Sequence, residues 1–251
     1  MATDRQRSAS LVFLAACVAG PFPEIIACGG DDSPTPTCVD ARIGAIYGGL
    51  PSADEEGVAI GAFEKSDGTV ECTGTFVARD WVITASHCQV CDRAMTRFRL
   101  AGQGQWSACK SRSVHPQLDV ALVQVTTDRE EIDILPLAKE RDAAVLGDVV
   151  TLAGLGQTDQ LQQGELRFVD EPIVRVTQTE IWVDGQGMRG ACVGDSGGPM
   201  LKRNRDGVFE VLGILSRGSA DCLGTDAYVR ADVLLPWLEG VVPRKQDGCV
   251  R

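Results

Sequence analysis

Apolar stretches of eight residues or fewer recur along the chain with turn residues between them: Val58–Phe63, Val70–Val77, Trp81–Ala85, Val120–Val125, Val149–Ala153, Gln178–Val183 and Val208–Leu215. Such runs are too short for ordinary helices, and their enrichment in β-branched residues predicts strands and an all-β fold. Lys65-Ser66-Asp67-Gly68-Thr69 predicts a hairpin turn, because Asp-Gly tolerates the positive φ that such turns require. The pattern changes only near the end. There Asp232 is expected to cap a helix over about residues 233–241, with Pro236 in its first turn and Trp237 and Leu238 toward the core.

The N-terminus has a different pattern. Arg5 and Arg7 precede the apolar run from Ala9 to Gly20, which reads as a secretory signal over residues 1–27 and therefore predicts export. Ile25-Ile26-Ala27-Cys28 resembles a bacterial lipobox; Leu14-Ala15-Ala16-Cys17 also fits one, but only about eight apolar residues precede it and an apolar stretch follows it. Lipidation at Cys28 would attach the protein to a membrane surface through a polar tether over residues 28–45, whereas plain cleavage near Ala27 would release it. No segment is apolar for the 18 or more residues that a membrane span needs. The net charge of -11 and the lack of a basic stripe argue against a nucleic-acid partner. Ten cysteines suit an oxidising compartment. Cys88 and Cys91 form the one C-x-x-C, with no second close pair, so a metal site is not expected.

Candidate chemistry lies in three segments. Gly194-Asp195-Ser196-Gly197-Gly198-Pro199 sets a serine on a glycine-rich turn whose N–H groups can converge on a developing negative charge. A serine hydroxyl needs a base, and a base needs an orienting carboxylate. Thr84-Ala85-Ser86-His87-Cys88 offers the base, and Asp119-Val120-Ala121-Leu122 offers the carboxylate. In this order the three segments closely resemble the T-A-A-H-C, D-I-A-L and G-D-S-G-G-P motifs of trypsin/chymotrypsin-family serine peptidases. Cys72-Thr73-Gly74-Thr75 and Trp81-Val82-Ile83 match the family's upstream motifs, and the resemblance spans roughly residues 46–240.

The resemblance implies two Greek-key six-stranded β-barrels and a C-terminal helix. The peptidase domain would cover residues 46–251, with barrels at about 58–130 and 136–232. His87, Asp119 and Ser196 would be the catalytic triad, the N–H groups of Gly194 and Ser196 the oxyanion hole, and polypeptides the substrates; no cofactor is implied. An esterase using the same residues, or a silent binding module on the same fold, are the alternatives. Ile46-Tyr47-Gly48-Gly49 resembles the family's activation motif, so Ile46 freed by an activating protease would pair with Asp195; Ala45 before it argues against a trypsin-like cut. Bridges Cys72–Cys88 and Cys192–Cys222 follow from the family. Cys91–Cys109 would close an insertion after His87, which leaves Cys38–Cys249 by elimination.

Some positions depart from the family. Leu155 replaces the tryptophan of G-W-G in Gly154-Leu155-Gly156, and Arg217 replaces that of S-W-G in Ser216-Arg217-Gly218, the edge expected to bind substrate as an added strand. The pocket floor that is aspartate in trypsin-like members is Gly190, followed by Ala191. Asp226 stands where a pocket glycine is usual, so a carboxylate entering from the opposite wall predicts a preference for basic side chains. The other histidine, His115, is expected to be a solvated loop residue.

Overall fold

A computed structural model of the protein describes residues 49–51, 59–91, 96–127, 132–139 and 144–243. The expected signal and tether (residues 1–45), with Cys17, Cys28 and Cys38, lie outside the described residues, as do Ile46 and Cys249.

Thirteen strands and one short helix form the described part. In chain order they are β1 (Leu50–Pro51), β2 (Ile60–Glu64), β3 (Val70–Ala78), β4 (Trp81–Thr84), β5 (Arg97–Leu100), β6 (Trp106–Val114), β7 (Ala121–Val125), β8 (Val149–Gly154), β9 (Arg167–Val176), β10 (Glu180–Asp184), β11 (Pro199–Arg203), β12 (Phe209–Arg217), β13 (Thr225–Arg230) and α1 (Leu235–Val241). All strand pairings are antiparallel.

The first barrel closes in the order β2-β3-β4-β7-β6-β5. The second runs β9-β10-β13-β12-β11-β8 and closes through the β8–β9 pairing, with β1 added at β9. This is the chymotrypsin-like arrangement expected from the sequence. Closure leaves no unpaired barrel edge, and alternating inward residues fill each interior. In the first barrel Phe98 packs against Phe63, tilted, and against Phe76, edge to face, at centroid distances of 4.9 and 5.3 Å, contacts worth about 0.5–1.5 kcal/mol each beyond area burial. In the second, Ile173, Ile181, Val183, Met200 and Tyr228 form one cluster.

The hairpin between β2 and β3 forms as predicted: Gly68 takes φ 86°, and the Lys65 N–H bonds the Thr69 carbonyl at 3.0 Å. The helix start differs. Asp232 opens a single 3-10 turn, Asp232–Leu234, without capping it, and α1 begins only at Leu235. The Asp232 carboxylate is instead bonded by the guanidinium of Arg230 two residues earlier, a charged donor that outcompetes backbone N–H groups. His115 lies on a loop and is partly exposed, as expected, but it also has structural contacts. Its Nδ1 accepts the N–H groups of Gln117 and Leu118 at 3.2 and 3.0 Å, and its ring packs edge-on against Trp237. It shapes the loop that leads into Asp119.

Candidate active site

β4 ends at Thr84, and the chain turns at once through a 3-10 turn, Ser86–Cys88, that carries His87. The disulfide Cys72–Cys88 ties this turn back to β3. Asp119 sits two residues before β7, the neighbour of β4, so the pairing of Thr84 with Ala121 brings the two segments together. Asp119 Oδ2 lies 2.7 Å from His87 Nδ1, and Oδ1 accepts the His87 N–H at 2.9 Å. Two hydroxyls complete the shell: Ser86 Oγ donates to Oδ1 and Ser216 Oγ to Oδ2, each at 2.7 Å. Burial works to raise the Asp119 pKa, but bonds from His87, Ser216 and Ser86 outweigh it and hold the group well below the usual carboxylate range. The bond to Asp119 in turn raises His87 above its ordinary value, against partial desolvation.

Ser196 is carried by the turn between Cys192 and Pro199, seated on the first barrel at the base of the histidine turn. The Thr73 N–H bonds the Ser196 carbonyl at 2.9 Å, and Thr73 Oγ1 bonds the Gly194 carbonyl at 3.0 Å. Gly197 shows why glycine is needed. With φ 82°, it would place a Cβ 2.1 Å from Thr84 Oγ1. Gly194 also has a positive φ, 97°. Within the turn the Asp195 N–H bonds the Cys192 carbonyl and the Gly198 N–H bonds the Asp195 carbonyl. Among the described residues the N–H groups of Gly194 and Ser196 take part in none of these bonds.

Asp195 itself points inward and is 1% exposed. Its carboxylate accepts the Gly156 N–H at 2.7 Å and the Cys192 N–H at 2.8 Å. Burial nevertheless pushes its pKa up to about 7, with those two donors opposing and the negative charge of Asp226 adding. The Gly154-Leu155-Gly156 segment exists around this carboxylate, since a Cβ at Gly154 would fall 2.0 Å from Asp195 Oδ1. Leu155, in place of tryptophan, is fully buried.

Gly190-Ala191 and Ser216-Arg217-Gly218, the segments expected to line the substrate pocket, come together around Asp226, and Cys192–Cys222 braces them. Asp226, on β13, is fully buried between them. Its Oδ2 accepts the Ala191 N–H at 2.7 Å, and its Oδ1 accepts the Ser219 N–H at 3.3 Å. A Cβ at Gly218 would lie 2.5 Å from Oδ1 and one at Gly190 3.2 Å from Oδ2, so both glycines leave room for the carboxylate. Arg217 turns onto Glu180, with bonds of 2.7 and 3.0 Å, and stacks 4.9 Å from the Trp182 ring. The bridge Cys91–Cys109 is also present.

Two residues of this region escaped sequence reading. Ser86 was visible as a departure, T-A-S-H-C for T-A-A-H-C, but its role as a donor to Asp119 emerges only from the fold. Glu171 left no signal, because an acid in a mixed strand reads as solvated. Its carboxylate is fully buried in the second barrel.

Comparison with known proteins agrees with the two-barrel fold. The family model for trypsin matches residues 46–238. The canine protein "Chymotrypsin-like elastase family member 1" is 27% identical, over 68% of this chain and 81% of its own length. The Drosophila melanogaster protein "Serine protease filzig" is 26% identical over 79% of this chain, which aligns with only 14% of that much longer protein. With two closed six-stranded barrels and a family match across most of its length, this chain belongs to the trypsin family of serine peptidases.

Proposed function

We propose that the protein is an exported serine endopeptidase that cleaves peptide bonds through an acyl-enzyme, with Ser196 as nucleophile, His87 as general base and acid, and Asp119 as orienting carboxylate. The observation that carries this reading is the 2.7 Å contact of Asp119 Oδ2 with His87 Nδ1. It fixes the tautomer that leaves Nε2 free to take the Ser196 proton. As His87 becomes imidazolium, Asp119, held ionised by its three neighbours, stabilises the charge. The proton then passes to the leaving amine, and water repeats the cycle on the ester. The N–H groups of Gly194 and Ser196 serve the oxyanion, a role supported by their freedom from the turn's own bonds.

The same reading covers activation and specificity. Cleavage before Ile46 would free an ammonium to pair with Asp195, a buried carboxylate that has two amide donors and no cation among the described residues. The buried position of Asp226 between Gly190 and Gly218 supports a preference for lysine or arginine at the scissile position. The peptidase domain would span 46–251, preceded by the signal (1–27) and tether (28–45), with lipidation at Cys28 and a Cys38–Cys249 bridge keeping the anchor attached.

The test is Ser196→Ala in the processed enzyme, assayed on arginyl, lysyl, leucyl and phenylalanyl peptides beside Asp226→Asn. Ser196→Ala is expected to lower kcat by on the order of 10⁴-fold or more. Unchanged hydrolysis would overturn the mechanism, and an apolar preference untouched by Asp226→Asn would overturn the pocket assignment. N-terminal sequencing of active enzyme is expected to read Ile46; Ile43 or an uncut chain would refute the activation step.

A further inference from the structure

The second barrel encloses an acid that neither the triad nor the activation step uses. Glu171 lies on β9 two residues before Ile173, hence on the same side of the strand. Ile173 pairs with Val183, and Val183 pairs with Asp226. Cross-strand partners project to one face, so the register directs Glu171 and Asp226 into the same barrel interior. Glu171 is fully buried, and among the described residues neither carboxylate oxygen has a hydrogen-bond partner. Asp226, in contrast, holds two backbone donors. The charged groups acting on Glu171 are Asp226 from β13, Asp184 from the end of β10 and Arg189, which directly precedes Gly190. The phenol of Tyr228 also feels Glu171, and the cross-strand partner of Glu171 on β8 is apolar Val150.

An aliphatic residue would fill this position without cost, whereas an unpaired buried carboxylate is strongly unfavourable. We propose that Glu171 is a second acid of the substrate pocket, holding a proton while the pocket is empty and releasing it when a lysine or arginine side chain arrives beside Asp226. This deepens the proposed function and rests on its assignment of Asp226. The order of ionisation follows from the donors. Burial raises Asp226 to about 6 while its two amide donors restrain the rise. Burial and the charge of Asp226 push Glu171 up to about 8, with Arg189 opposing. Near neutrality the pair therefore carries one negative charge and one proton. An entering cation cancels the field of Asp226 and attracts Glu171, whose proton leaves for bulk water. The site then holds two carboxylates and one cation, and its net charge is unchanged.

Benzamidine, an amidinium of the size of a basic side-chain head, is the probe. Its binding to active enzyme at pH 7.5 is measured calorimetrically in two buffers of different ionisation enthalpy, for wild type, Glu171→Gln and Asp226→Asn. Wild type is expected to release most of one proton per benzamidine and to bind more tightly as pH rises from 7 to 9. Glu171→Gln should bind roughly 10-fold more weakly at pH 9 and lose both the proton release and the pH dependence. Glu171→Leu, which restores an apolar barrel wall, should lose the same proton release with a Tm at or above wild type, which separates the effect from misfolding. Proton release in both variants equal to wild type would overturn the proposal and leave the Asp226 assignment intact. Absence of benzamidine binding to wild type would overturn both.

Discussion

One methyl group at Gly154 tests how the proposed oxyanion turn is held. An alanine Cβ there would sit 2.0 Å from Asp195 Oδ1 and 2.8 Å from its Cγ, far inside van der Waals contact. Asp195 cannot swing aside into water, because it is 1% exposed and fixed by the Gly156 and Cys192 N–H groups. The two carboxylate oxygens move as one rigid group, so clearing the new methyl breaks both bonds. Hydrogen bonds to a charged group contribute about 1.5–3 kcal/mol each, so Gly154→Ala is expected to cost roughly 3–6 kcal/mol. In a chain of this size that lowers Tm by roughly 10–20 °C. The matched control is Gly147→Ala, which has φ +87° but no atom within 4 Å of its Cβ, and so costs only the left-handed backbone, about 1–2 kcal/mol. Both are melted at pH 8 in a Ser196→Ala background to prevent self-digestion. In the active background Gly154→Ala should also lower kcat by about 10²-fold or more, since displaced donors no longer meet the oxyanion. A Tm for Gly154→Ala within a few degrees of Gly147→Ala would refute the argument that Asp195 is pinned.

Two further outcomes follow from the charges of the site. Ser86→Ala removes one donor from Asp119, leaves more charge on the carboxylate facing His87, and should move the acid limb of the kcat/KM profile upward by about 0.3–0.5 pH units; a downward shift would show that Ser86 does not act through Asp119. Glu171, Asp195 and Asp226 are all raised by burial, so the folded chain keeps protons that the unfolded chain has released between about pH 4 and 8. The stability of the Ser196→Ala protein should then fall as pH rises through that window, at up to about 1.4 kcal/mol per unit for each group, and His87, raised by its bond to Asp119, acts in the same direction. Asp119 acts oppositely, but its contribution is lost only in acid below the window. Melts at pH 5.5 and 8.5 decide it, with a higher Tm at pH 8.5 as the refuting result.

The three candidate segments were legible because the chemistry proposed for each confines it to a few residue types: a serine on a glycine turn, a histidine after a strand, an aspartate before one. Strands with one wet face were harder to see. β6, Trp106–Val114, contains Lys110, Ser111, Arg112 and Ser113, and no apolar run marks it because much of the strand is exposed. Asp232 satisfied the pattern of a helix cap, yet Arg230 two residues away claimed its carboxylate, a competition between side chains that residue patterns alone do not rank. Glu171 was illegible for a stronger reason. Beside Asp170 it reads as one of two surface acids, and only the β9–β10–β13 register turns it inward toward Asp226.

That register gives the second barrel an unusual electrostatic character. Glu171, Asp195 and Asp226 are each at most 1% exposed, and each is raised toward neutral pH by burial. An interior of this kind works against folding above pH 6 unless cations enter it. On the proposed reading two cations are available, and each comes from chemistry rather than from the resting fold: the ammonium freed before Ile46 for Asp195, and the substrate side chain for Asp226 and Glu171. Stability left unrealised in the uncut, empty protein would then appear as binding energy at activation and at substrate capture. Gly154, Gly156, Gly190 and Gly218 fit the same logic, because each gives up a side chain to leave space for one of these carboxylates. If the acids were structural remnants, aliphatic replacements would stabilise the protein with no effect on cation binding. If they are functional, the gain in stability and the loss of cation affinity must occur together in the same variant.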